Sequence, residues 1–144
     1  MSPPGTTPDA DAVDDTCPCG SGSPYDGCCG RLHRGEAQAA TAEQLMRSRF
    51  AAFAREDAAY LLDSWHPSTR PRRVRFDPAR RWVRLDVLLT EAGGMLDSEG
   101  TVSFVAHHRR GGATGETGEL KEVSLFVRDD GRWRYLGPVD ASLD

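Results

Sequence analysis

No stretch of this chain approaches the roughly 20 consecutive apolar residues that a bilayer-spanning helix needs, so a helical membrane anchor is not expected. No Lys or Arg precedes Arg31. The first residues therefore lack the positive n-region of a secretion signal, and they lack its apolar h-region as well, which makes the cytoplasm the expected compartment. Positive charge is not in excess: the formal net charge is −4, which disfavours generic nucleic-acid binding. No Lys-Ser/Thr ending follows the glycine-rich run Gly111–Gly118, so it reads as a hairpin connection and not as a phosphate-binding loop. No nucleophile, histidine and carboxylate can be assembled into a catalytic set from the sequence. Finally, no cysteine lies outside residues 17–29.

Inside that window stand all four cysteines: Cys17, Cys19, Cys28 and Cys29, spaced C-x-C-x₈-C-C. Two pairs joined by an eight-residue turn can each supply one edge of a tetrahedron, the geometry of a structural zinc with Zn–S bonds of about 2.3 Å. Disulfides suit small secreted domains, for which no signal is present. A vicinal Cys28–Cys29 bridge is strained, an iron–sulfur cluster does not usually take this spacing, and a redox pair more often reads C-x-x-C. One structural Zn²⁺ per chain is the expectation. His33 is an alternative ligand, though four thiolates leave it a supporting or surface role. A four-thiolate site also has no open coordination position for catalysis.

The run Cys17-x-Cys19-Gly20-Ser21-Gly22-x-x-Tyr25-x-x-Cys28-Cys29 resembles the SEC-C zinc motif, known from the C-terminus of the SecA translocation ATPase. Leu45-Met46-Arg47-Ser48-Arg49-Phe50-x-Ala52-Phe53, Trp65-His66-Pro67-Ser68, Val102–Ala106 and Glu122-x-Ser124-x-Phe126 resemble the YchJ-like bacterial family. The resemblance implies an α+β fold. A zinc knuckle at residues 16–34 precedes a nuclear-transport-factor-2-like domain, the cystatin-like cone of helices on a curved antiparallel sheet, at residues 38–138. An acidic leader (1–15), expected to be disordered, and a short tail (139–144) flank them. Some members of the family carry a second SEC-C copy. The residues after Cys29 hold no cysteine, so a function that needs two knuckles is not expected here.

The 144 residues and 38% hydrophobic content suit one ordinary core plus a small appendage. Thr41-x-x-Gln44 fits a capping box, and Met46, Phe50 and Phe53 follow at helical spacing. Arg47 and Arg49 read as solvated charges beside that stripe, with a structural or site-lining role raised by the resemblance. Asp57 caps a second helix that Pro67 stops. Val83, Leu85, Val87 and Leu89 alternate as one face of a strand. Strands over Thr101–His108, Glu119–Arg128 and Arg132–Leu136 complete a meander, with Asp129-Asp130-Gly131 as a hairpin turn.

A curved sheet closing on helices leaves a cavity at its wide end, for which His66, Trp82, His107, Glu122, Ser124 and Trp133 are the expected lining. Glu122 and Ser124 share a strand face by period two. An ion pair of Glu122 with Arg47 or Arg49 is the structural alternative. Seven arginines between Arg70 and Arg84 form the one local positive field. A salt-paired solvated loop is the expectation there, and contact with nucleic acid or the ribosome the weaker alternative. The leading functional expectation is a zinc-stabilised binding protein. Its knuckle docks a protein partner, as the SecA analogy implies for a chaperone or the ribosome, and its cone holds a small ligand or a partner. The alternative is an isomerase, dehydratase or hydrolase with His66 or Glu122 as general base.

Overall fold

The computed structural model describes residues 16–111 and 115–139. The expected acidic leader and most of the C-terminal tail lie outside the described residues. A 3₁₀ turn (Tyr25–Gly27) leads into a short helix α1 (Cys29–His33), followed by α2 (Ala42–Ala54) and α3 (Ala58–Asp63). Four strands follow, β1 (Arg80–Ala92), β2 (Glu99–Arg110), β3 (Thr117–Asp129) and β4 (Arg132–Pro138), in one antiparallel sheet of order β1-β2-β3-β4. Helices first and a meander afterwards is the α+β arrangement, and none of the described helices is long and apolar enough to cross a membrane.

Local chemistry sets the helix starts. The Thr41 hydroxyl accepts from the Gln44 backbone N–H at 3.1 Å, while the Gln44 side chain reaches back to the N–H of Ala40. Asp57 caps α3 by accepting from the Tyr60 N–H. Between β3 and β4, Asp130 and Gly131 take successive positive φ values of 57° and 83°, the pair of left-handed positions a two-residue hairpin turn requires.

The core lies between α2 and the concave face of the sheet. Leu45, Met46 and Phe50 pack against Leu85, Val102, Phe104, Ala106, Phe126 and Trp133. The sheet departs from simple alternation at β1. Val83 and Leu88 stand at two register shifts against β2, and each extra residue reverses which neighbours face inward. Trp82, paired with His108, thereby joins Leu85 and Val87 against the core, while Val83 and Leu89 are exposed. The expected apolar face of four alternating residues is thus corrected to Trp82, Leu85 and Val87. Such bulges also bend a sheet, which helps open its wide end.

The knuckle is fastened to this body through His33, whose side chain is 4% exposed. Its Nε2–H donates to the Ser48 carbonyl on α2 at 2.9 Å, which leaves Nδ1 to accept from the Tyr25 hydroxyl at 2.6 Å. With Nδ1 accepting, the ring is neutral: burial outweighs the Asp57 carboxylate 3.8 Å from Nδ1 and holds its pKa below the usual imidazole range. The aromatic of the motif is a latch onto this histidine. Above about pH 6.5 both folded and unfolded states are neutral at His33 and its contribution is complete. Below that, the unfolded chain protonates first and stability falls. Replacing His33 with Gln is expected to cost about 1–3 kcal/mol at neutral pH. Thermal unfolding with metal in excess should show the wild-type advantage constant above pH 6.5 and shrinking below it. An advantage that grows on acidification would contradict a neutral His33.

Candidate functional site

Two constellations stand out, the cysteine knuckle and the wide-end cavity. In the knuckle, positive φ at Gly20 (88°) and Gly22 (86°) folds the chain back so that Thr16 bridges Pro24 and the Cys17 N–H bonds Ser23. This brings Cys17 and Cys19 over Cys28 and Cys29, with all four Sγ atoms within 4.8 Å of one another. A tetrahedral ion with 2.3 Å bonds needs sulfurs about 3.8 Å apart, and the Cys19–Cys28 pair stands at 3.6 Å. The donor set fits a metal ion that prefers four thiolates. Left to themselves, the sulfurs cannot all ionise. Hydrogen bonds from Cys17 and Cys29 push the Cys19 thiol down, and donating to its neighbours pushes the Cys29 thiol up. A bound divalent cation supplies the charge that all four thiolates would share.

Around this cluster, the Ser21 hydroxyl lies 3.2 Å from the Cys28 sulfur, and Arg47 donates to the Cys19 carbonyl at 2.7 Å while pairing with Glu43. Three of the cysteines are buried and pack on Ala51 of α2. Arg47 is thus a brace for the knuckle and not a solvated charge.

The second constellation is a cavity of about 270 Å³ between α2 and the sheet. Its walls are aromatic: Phe50, Phe53, Trp65, Trp82, Phe104 and Tyr135. Its polar groups are Arg49, Arg80, Glu122 and Ser124. Glu122 Oε2 accepts from the Ser124 hydroxyl at 2.6 Å and from the Tyr135 hydroxyl at 2.9 Å. Burial, with Glu122 close by, pushes the Tyr135 phenol up, so it remains the donor in that bond. No ion pair joins Glu122 to Arg47 or Arg49 among the described residues, and two hydroxyls take that place.

Arg49 is 4% exposed. Its Nη1 donates to the Leu61 carbonyl at 2.8 Å and lies 2.7 Å from the Ser64 hydroxyl. Its guanidinium stands over Trp65 at 4.8 Å and Tyr135 at 4.4 Å from the ring centres. Burial pulls its pKa down to about 10, still well above neutrality. The solvated reading of Arg49 is therefore corrected. The signal was in the spacing: residues 46, 49, 50 and 53 occupy i, i+3, i+4 and i+7 of one helix face.

Of the residues expected to line the cavity, Trp82, Glu122 and Ser124 do so, and three do not. His66 follows Trp65 at the Trp65–Tyr135 bridge. Trp65 turns into the cavity, and His66 points away, its Nδ1 accepting from the N–H of Ser68 and lying 2.8 Å from the Ser68 hydroxyl. His107 falls on the opposite face from Phe104 and Ala106, where its Nε2 meets Asp86 at 2.8 Å. His108, one residue on, is the histidine beside Trp82. Trp133 is core at the hairpin end, with its indole N–H on the Ala40 carbonyl. Phe53, Trp65, Arg80 and Tyr135 also line the cavity. Of the arginine-dense segment, Arg84 pairs with Asp86 and Arg80 borders the cavity, while Arg72, Arg73 and Arg75 are exposed without ion pairs among the described residues.

Fold and site together define a class, a SEC-C knuckle joined to a nuclear-transport-factor-2-like cone. A family model described as the YchJ middle NTF2-like domain matches residues 41–138. The solution structure of a SEC-C motif containing protein from Rhodopseudomonas palustris superposes with a TM-score of 0.73 at 37% identity, covering 87% of this chain and 99% of that one. A SEC-C motif protein from Psychrobacter arcticus shares the fold at TM-score 0.69 and 24% identity, over 88% of this chain and 82% of its own. A UPF0225 protein of Streptomyces avermitilis is 51% identical over 121 residues, 84% of this chain and 81% of the relative. The chain belongs to this YchJ-like, UPF0225 family.

Cys29→Ser removes one of the four candidate ligands at a buried position of the cluster. The expected result is loss of bound metal and destabilisation by more than about 3 kcal/mol, read by elemental analysis and thermal unfolding. Unchanged metal content would rule the cluster out as the ligand set.

Proposed function

We propose that this protein is a small-molecule-binding cone whose knuckle holds a structural zinc ion and docks a protein partner. The observation that carries the reading is the aromatic-walled cavity, which holds a few placed polar groups in otherwise apolar surroundings, the usual make-up of a ligand pocket. Its volume lies near the lower end of such pockets, about 300–1,000 Å³. The ligand is accordingly small. Four thiolates with no open position favour zinc in a structural role. The docking role rests on the asymmetry of the knuckle. One side packs on α2, while Ser21, Ser23, Gly27 and Arg31 stay exposed around the less buried Cys28.

A second reading keeps chemistry in the same cavity. Glu122, oriented through one oxygen by Ser124 and Tyr135, leaves its other oxygen as a general base toward a bound substrate. His66 has no part in it, since it faces away from the cavity.

Protein purified without chelator is expected to carry one zinc per chain, and a fragment screen by two-dimensional NMR to shift resonances of the cavity walls. Leu120, 43% exposed at the rim, can be changed to Trp to occlude the cavity with little cost to the fold. Leu120→Trp should abolish those shifts, and binding that survives it lies elsewhere. Product formation in the same screen that disappears in Glu122→Gln would favour the enzyme reading. For docking, Arg31→Glu should keep its zinc and lose the partner recovered with the wild-type chain. A partner retained by Arg31→Glu and by a zinc-free Cys→Ser variant alike would remove the docking role.

A further inference from the structure

Two guanidinium groups border the cavity, and neither is fully spent on the protein. Arg49 uses only Nη1 for hydrogen bonds, to Leu61 and Ser64. Its Nε and Nη2 have no partner among the described residues, and no carboxylate lies within ion-pair distance of it there. Arg80 likewise forms no ion pair and donates no side-chain hydrogen bond among the described residues; its Nε is buried and closed to a ligand, so its Nη groups are the donors on offer. Leaving a buried, charged donor unpaired is costly, more so than leaving a neutral one unpaired. Glu122, the one acid in the lining, already has an oxygen occupied by two hydroxyl donors. Within the lining two arginines stand against one carboxylate; Asp77, which borders a neighbouring recess together with Arg80, offsets part of the Arg80 charge, so the excess rests chiefly on Arg49.

From this imbalance we infer that the cavity binds a small carboxylate with a flat, apolar body, its carboxyl on the free edges of Arg49 and Arg80 and its body between the aromatic walls. The inference rests on the cavity being a ligand site and names the ligand's class. Guanidinium and carboxylate match as planar groups, with paired N–H donors meeting paired oxygens. Trp65 and Tyr135 hold the Arg49 plane by stacking on it, which fixes its free edge before any ligand arrives. The six aromatic side chains of the lining offer faces and edges for a ring or an unsaturated chain.

The test titrates full-length, metal-loaded protein with benzoate, benzamide, benzylammonium and phenyl phosphate at up to millimolar concentration, by two-dimensional NMR. Benzoate should bind about tenfold or more tightly than the isosteric amide, the advantage a charge-assisted pair gives over a neutral one. Benzylammonium should be the weakest of the four. Arg80→Gln, at a half-buried position that leaves the core intact, should weaken benzoate severalfold and leave benzamide unchanged. Glu122→Gln removes the competing negative charge and should strengthen benzoate. Benzamide or benzylammonium binding as well as benzoate, in a manner that Leu120→Trp blocks, would overturn the carboxylate assignment and leave the cavity standing as a ligand site. Phenyl phosphate binding more tightly than benzoate would overturn it in favour of a phosphoryl ligand. No shift at the cavity with any of the four would overturn both readings together.

Discussion

Helix α2 is buried on more sides than an amphipathic helix normally is, and the other parts of the structure are arranged to satisfy it. Eight of its thirteen residues are buried, among them Ser48 and Arg49, whose polar groups have to be matched inside the protein. Met46 and Phe50 meet the sheet, Ala51 meets the cysteine cluster, and Arg49 meets α3 through the Leu61 carbonyl and Ser64. Ser48 is satisfied twice over. Its hydroxyl donates to the Leu45 carbonyl and lies 2.7 Å from the Tyr60 hydroxyl, and its own carbonyl receives His33. The knuckle is therefore part of the cone's packing and not a bead on a flexible string.

Arg49 is the member of this helix that packing alone does not account for. A core position at the same spacing could hold a leucine or methionine without the cost of desolvating a charge, and replacing buried charges by well-packed apolar groups is often neutral or stabilising. Two ring faces, a backbone carbonyl and a serine hydroxyl offset part of that cost. Desolvation still dominates the balance, as the lowered pKa records. A buried cation held in place by aromatic faces, with part of its donor edge left over, is better suited to recognising an anion than to holding the fold together.

Legibility in the sequence followed the length scale of the physics. The knuckle was readable because four cysteines and two turn glycines lie within thirteen consecutive residues, and local chain geometry dictates most of the rest. The helix caps at Thr41 and Asp57 and the Asp130-Gly131 turn were readable for the same reason. The cavity was only half readable. Period two put Glu122 and Ser124 together correctly, but placing His107 beside them required knowing which parity of β2 faces inward, and Val102, Phe104 and Ala106 had already answered that. His66 was misplaced because an exposed-looking histidine after a helix draws attention that its neighbour Trp65 had the better claim to. The exact course of β4 was the least legible part. Tyr135 enters the cavity through its pairing with β3 past a register shift and through its bridge to Trp65, contacts separated by tens of residues that no local pattern encodes.

Residues 47, 48 and 49 are consecutive on α2, and at about 100° per residue they must point in three directions. Arg47 reaches the Cys19 carbonyl, the Ser48 carbonyl receives His33, and Arg49 enters the cavity. A single helical turn is therefore shared between the cysteine cluster, the latch and the aromatic-walled cavity. Packing density makes such a turn stiff, so the position of the Arg49 side chain depends on supports that include the knuckle on its far side. What the knuckle adds here is a second body packed against α2, at the residues where the helix carries its buried charge.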